Sequence, residues 1–171
     1  MRSTIIIILL IFSNASYTQS KFGFNIDGLS PESLTIEAKS FSQTELYTKT
    51  LLWIKATYEH PDRTIISLIA NEAIQISGIK DNAIEVDKQY FYLKYDIKIS
   101  FKKGQYSFEP LSIHTKINSK YDMGWQPVDL KNGASFYKKG KVIKKTKSYV
   151  KVIPEVLNEL NSSFYNYLIS E

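Results

Sequence analysis

The stretch Tyr90-Phe91-Tyr92-Leu93-Lys94-Tyr95-Asp96-Ile97-Lys98-Ile99-Ser100-Phe101 decides the fold. Phe91, Leu93, Tyr95, Ile97, Ile99 and Phe101 alternate with Tyr92, Lys94, Asp96, Lys98 and Ser100. That is the two-residue period of a β-strand with one buried and one wet face. Lys102-Lys103-Gly104-Gln105 then reads as a turn, with glycine where a positive φ is needed, and the chain resumes its alternation through Tyr106, Phe108, Leu111 and Ile113. Pro110 breaks the parity of this returning strand, so a bulge or an edge position is expected there.

Working outward from this antiparallel pair, Thr64 to Ala70 and Glu72 to Ile79 form two β-rich runs around a turn at Asn71-Glu72, a second hairpin. Upstream of it the period changes. From Gln43 to Tyr58, Tyr47, Leu51, Ile54 and Tyr58 line one stripe, with Leu46, Thr50, Trp53 and Thr57 beside it, which predicts an amphipathic helix. Ser42 is its N-cap, Glu45 completes a capping box, and His60-Pro61-Asp62 ends it. Ser33 to Ala38 is a short first strand. Downstream, Gly124, Pro127, Gly133 and Gly140 punctuate a long, partly extended excursion over about 118–150. Pro154 then opens a closing helix, about 153–169, carrying Val156, Leu157, Leu160, Phe164, Tyr167 and Leu168. The order strand, helix, strands, helix predicts an α+β fold with both helices packed on one face of a curved antiparallel sheet.

From Leu34 to about Lys116 the chain resembles the exported domain of unknown function 4468, a family with a TBP-like fold found mainly in Bacteroidota. The resemblance is carried by Glu45-Leu46-Tyr47 followed by Leu52-Trp53-Ile54, by Ile65-Ile66-Ser67 leading to Ala73-Ile74-Gln75-Ile76-Ser77-Gly78, and by the strands either side of Lys103-Gly104-Gln105-Tyr106. It implies a strand, a helix, three to four antiparallel strands and a closing helix in an exported protein. It implies no activity, and TBP-like names a shape that brings no DNA binding with it. The lysine-rich segment before the last helix departs from the family pattern.

The amino terminus reads as an export signal. Arg2 precedes the apolar run Ile5 to Phe12, and Ser13-Asn14-Ala15 offers small residues for cleavage. As a helix that run spans about 12 Å, against about 30 Å of hydrocarbon, so it is too short for an anchor. The sequence thus divides into a signal peptide, residues 1–15 with cleavage between 15 and 20, a flexible lead, 16–32, and one α+β domain, 33–171. With no cysteine, disulfides, thiolate sites and a lipoprotein anchor are excluded, and the expected product is periplasmic or secreted.

The net charge of +5 is localised. Lys131, Lys138, Lys139, Lys141, Lys144, Lys145, Lys147 and Lys151 all fall between Asp129 and Glu155 with no acid among them, leaving 14 basic against 17 acidic residues elsewhere. Such a run attracts anionic polymers, or else is a solvated loop. The candidate partner-binding residues are therefore Lys138, Lys139, Lys141, Lys144, Lys145 and Lys147, together with Tyr90 and Tyr92 on the wet strand face and Trp125 in a loop between Gly124 and Pro127. His60 and His114 lack companion ligands at metal-site spacing, no glycine elbow surrounds a serine, and no catalytic, cofactor or metal residue is assigned. The expected function is a non-enzymatic envelope or secreted module that contacts a protein or an anionic glycan. Nucleic acid is not the expected ligand of an exported chain. The alternative is a small envelope hydrolase or lipid-handling enzyme that uses the sheet concavity.

Overall fold

The computed structural model describes residues 20–121 and 123–170, so the expected signal peptide lies outside the described residues. In chain order the strands are β1 (Gly23–Asn25), β2 (Gly28–Ser30), β3 (Leu34–Glu37), β4 (Ile65–Ile69), β5 (Ala73–Val86), β6 (Gln89–Lys102), β7 (Gln105–Ile117), β8 (Gln126–Val128), β9 (Tyr137–Lys138) and β10 (Lys141–Val142). The helices are α1 (Gln43–Thr57), α2 (Pro61–Thr64) and α3 (Lys147–Ile169). The main sheet has the order β3-β7-β6-β5-β4, with β8 added to β7, and every pairing is antiparallel.

The alternation that opens the sequence reading is the middle of this sheet. Leu93, Tyr95, Ile97, Ile99 and Phe101 of β6 are all buried. Both helices cover this face. Tyr47 of α1 meets Phe101 edge-on at 6.0 Å between centroids, Trp53 packs on Phe164 of α3 at 5.2 Å, and Phe164 lies 4.7 Å from Tyr106, the residue directly opposite Phe101. Trp53, Phe164, Tyr106 and Phe108 are among the largest side chains of the buried cluster whose apolar contact holds a cysteine-free chain together. The start of α1 is fixed locally: the Ser42 N–H donates to Glu45 Oε2 at 2.7 Å, and the Glu45 N–H donates back to Ser42 Oγ at 3.2 Å.

The parity break at Pro110 is a bulge. Asp96 of β6 faces Ser112 while Ile97 faces Pro110, so Leu111 is the extra residue, and it stays exposed. Past the bulge, Ile113 again points to the core, which puts Ser112 and His114 on the outer face.

Two expectations need correction. The lead expected to be flexible over 16–32 is, from Phe22 onward, a packed hairpin. Phe22, Phe24 and Leu29 belong to the core, the Phe22 backbone is clasped by the Asn158 side chain of α3, and the Leu29 N–H donates to Leu130 O at 2.7 Å. Gly28, with φ +106, lies against the Leu130 carbonyl where no Cβ fits.

The last helix starts at Lys147, not at Pro154, which sits buried inside it. Proline removes one helical N–H, but the preceding turns bury Ile153 and bring Tyr149 to 5.9 Å from both Phe91 and Phe136, and that packing outweighs the lost bond. Over 118–150 the chain runs through β8, a 3-10 turn at Ala134–Phe136, the β9–β10 hairpin and a 3-10 turn at Lys144–Thr146 into α3.

Candidate functional site

The lysine-rich segment is displayed on a folded support. Lys138 and Lys141 face each other across the β9–β10 hairpin, whose tip is Lys139 (φ 51) and Gly140 (φ 74), the pair of positive φ values of a two-residue hairpin turn. Phe136 anchors its base, meeting Phe24 edge-on at 5.3 Å, and the Tyr137 hydroxyl donates to Phe24 O at 3.0 Å. Lys144 and Lys145 follow in the 3-10 turn, and Lys147 opens α3. All six side chains project from exposed residues. Among the described residues Lys145 alone of the six lies within 4 Å of an acidic group, Asp87 at 3.9 Å, and both of those groups are exposed. No acidic residue occupies the first turn of α3 and Thr146 makes no side-chain cap. Positive charge here runs against the helix dipole, which favours anions at an N-terminus.

Asp87 lies in the turn between β5 and β6, and Tyr90 follows three residues later. The basic segment and the aromatic end of the outer sheet face therefore meet at that turn, which the sequence alone did not reveal. Tyr90 is exposed and Tyr92 half-buried. Across the ladder Tyr92 faces Lys116, Lys94 faces His114, and Lys98 faces Glu109 on β7 and Gln75 on β5. Trp125 is half-buried just before β8, which pairs with β7.

The bulge assembles one polar cluster that sequence reading missed. Ser112 donates its hydroxyl to Asp96 Oδ2 at 2.6 Å, with His114 Nδ1 3.5 Å from the same Oγ. Burial works to raise the Asp96 carboxyl, but the hydroxyls of Ser112 and Ser77 and the nearby Lys94 and His114 outweigh it, and the pKa is lowered. Asp96 Oδ1 is buried without a hydrogen-bond partner. Because the Ser112 proton is committed to the carboxylate and not to the imidazole, the three groups are not arranged as an activated nucleophile. Carrying the parity shift at Pro110 through to Ser112 and His114 would have found them.

Two clefts lie against α3. One, of about 360 Å³, lies between α1, α3 and β5 and is lined by Tyr58, Tyr95, Val156 and Leu160, with the Lys80–Glu159 ion pair, 2.6 Å, at its mouth. The Tyr58 and Tyr95 hydroxyls stand 3.0 Å apart there, and burial pushes both phenols up. The other, of about 330 Å³, is lined by Phe91, Thr115, Ile117 and Tyr149, with the exposed Tyr121 and Met123 beside it. Among the described residues no group of three or more histidine, cysteine or acidic side chains gathers to hold a metal, and no helix is long and apolar enough to cross a membrane.

No protein-family model matches the chain, and no curated protein does. Solved structures do. A DUF4468 family protein from Bacteroides ovatus ATCC 8483 superposes with a TM-score of 0.63 at 10% identity, covering 81% of this chain and 85% of that one. A TBP-like protein from Parabacteroides distasonis ATCC 8503 gives 0.61 at 16% identity, covering 81% and 91%. At such identities the likeness speaks for the fold, and fold carries no activity with it. The resemblance read between Leu34 and Lys116 thus holds in three dimensions: the chain has a TBP-like α+β fold, and its structural neighbours are a domain of unknown function 4468 protein and a TBP-like protein.

Proposed function

We propose that the protein is an exported, non-enzymatic interaction module that offers its lysine-rich segment to an anionic macromolecule of the cell envelope. The observation that carries this reading is the display of Lys138, Lys139, Lys141, Lys144, Lys145 and Lys147 on a hairpin and a helix start, with a single long ion pair to them among the described residues. A solvated loop needs no anchoring by Phe136 and Tyr137. Moreover, lysines at the start of α3 oppose its dipole by about 0.3–1 kcal/mol each, and a bound anion reverses that sign. Export rests on Arg2 and the apolar run Ile5 to Phe12.

Retention of the purified protein on an immobilised anionic glycan, followed against salt, tests the reading. Wild type is expected to elute progressively earlier as salt rises, because each lysine contact releases bound counterions. The variant with all six lysines replaced by glutamine is expected to flow through at low salt with its circular dichroism unchanged. Equal retention of the two proteins would overturn the reading.

A further inference from the structure

The cleft of about 360 Å³ between α1, α3 and β5 contains a hydrogen-bond donor that the fold leaves unmatched. Tyr58 is the residue that ends α1. Its N–H closes the last helical bond to Ile54 O at 3.0 Å, its own backbone is extended, and His60-Pro61 carries the chain away. Tyr95 reaches the same place from β6, because Gly78 opposite it on β5 has no Cβ to collide with the ring. The two hydroxyls, 3.0 Å apart, have two protons and share one hydrogen bond. Among the described residues neither hydroxyl has another partner. Whichever donates to the other, the accepting phenol keeps an O–H with nothing to donate to. A donor withdrawn from bulk water and left unpaired is unfavourable, and an acceptor entering the cleft removes that penalty.

The remaining walls restrict what that acceptor can belong to. Ile79, Val156 and Leu160 make the lining largely apolar, and Ile79 stays 54% exposed although it stands in a sheet strand. Lys80 and Glu159, the charged groups that line the cleft among the described residues, are paired at 2.6 Å and cancel. Burial pushes both phenols up, so they remain neutral donors at physiological pH. An anion therefore meets no net positive charge here. The volume falls in the range of about 300–1,000 Å³ usual for small-molecule sites, which pair apolar walls with a few placed polar groups. From this geometry we infer that the cleft is a binding site for a small neutral molecule with an apolar body and one acceptor oxygen, of the ketone, ester or amide kind, which accepts a hydrogen bond from the unmatched phenol. None of the six candidate lysines lines it, so the site is separate from the lysine-rich segment.

Acetophenone, cumene and benzoate, each titrated into isotopically labelled full chain while backbone amide shifts are recorded, test the inference. The three share a ring and differ in carrying a neutral acceptor, no acceptor, or a charge. Acetophenone is expected to shift the amides of Tyr58, Ile79 and Leu160 saturably, whereas benzoate leaves them in place. The double variant Tyr58→Phe, Tyr95→Phe keeps both rings and removes both hydroxyls. It is expected to bind acetophenone roughly five- to tenfold more weakly than wild type does, the factor that one neutral hydrogen bond contributes, and to bind cumene no more weakly. No saturable shift at those residues, acetophenone binding unchanged in the double variant, loss of both neutral probes together, or benzoate binding in the cleft would each overturn the inference.

Discussion

Gly78 lies inside β5, directly opposite Tyr95, with its missing side chain on the core side of the sheet. A Cβ built there falls inside the Tyr95 ring, against Oη and Cζ, so Gly78→Ala forces the ring out of its place. On strand propensity alone the substitution stabilises, by roughly 0.5–1 kcal/mol. Against that gain stand the Tyr58–Tyr95 hydroxyl contact at 3.0 Å, net about 1 kcal/mol, and the displacement of a ring that is only 4% exposed, an overpacking cost of about 1–3 kcal/mol. The losses exceed the gain, and we expect a net destabilisation of about 1–3 kcal/mol. For a chain of this size that lowers Tm by roughly 3–10 °C. Thermal unfolding followed by circular dichroism measures it. Gly78→Ala combined with Tyr95→Val, which vacates the space, is expected to recover part of the stability the smaller core residue leaves. A Tm for Gly78→Ala equal to or above wild type would refute the account of why glycine occupies this strand.

Other consequences follow from the same packing. Trp53 is buried between Tyr58 and Phe164, with its indole N–H donating to Ser163 at 3.2 Å; Trp53→Ala is expected to cost about 3–5 kcal/mol in chemical denaturation. Burial raises the phenols of Tyr58, Tyr95 and Tyr106. A raised folded pKa contributes stability that is complete below the unfolded value, about 10, and is lost as pH rises beyond it. The tyrosinate absorbance of these three is therefore expected to develop only together with unfolding. For Asp96, whose pKa is lowered, the sign is opposite: its contribution is present above the ordinary carboxyl range and disappears as pH falls through its lowered value. Asp96→Asn should accordingly flatten the acid limb of the stability curve.

The parts legible in the sequence are those whose contacts are near in the chain or strictly periodic. The wet and dry faces of β6, the capping box at Ser42 and Glu45, and the parity break at Pro110 are of this kind. What sequence reading missed depends on distant partners. The β1–β2 hairpin looks like a polar lead because its apolar residues are few, and it is held by Leu130 and Asn158, more than a hundred residues on. Beyond Ile79 the sequence reading assigns no strand, because Asp81-Asn82-Ala83 is an irregularity that interrupts the alternation, and Asn118 holds Asn82 from across the sheet at 2.8 Å. The start of α3 is concealed by Pro154, a residue that ends most helices and here is retained by the burial around it. In the candidate site the lysines themselves were legible, whereas their folded support was not, since Phe136 finds Phe24 only in three dimensions.

The central claim is that the lysine-rich segment is the surface that meets a partner. Titrating an anionic glycan into isotopically labelled protein while recording backbone amide shifts tests it most directly. The account predicts that shifts concentrate between Tyr137 and Lys151 and at the neighbouring β5–β6 turn around Asp87. Shifts confined to the outer face around Asp96 and His114, or no shifts at low salt, would contradict it.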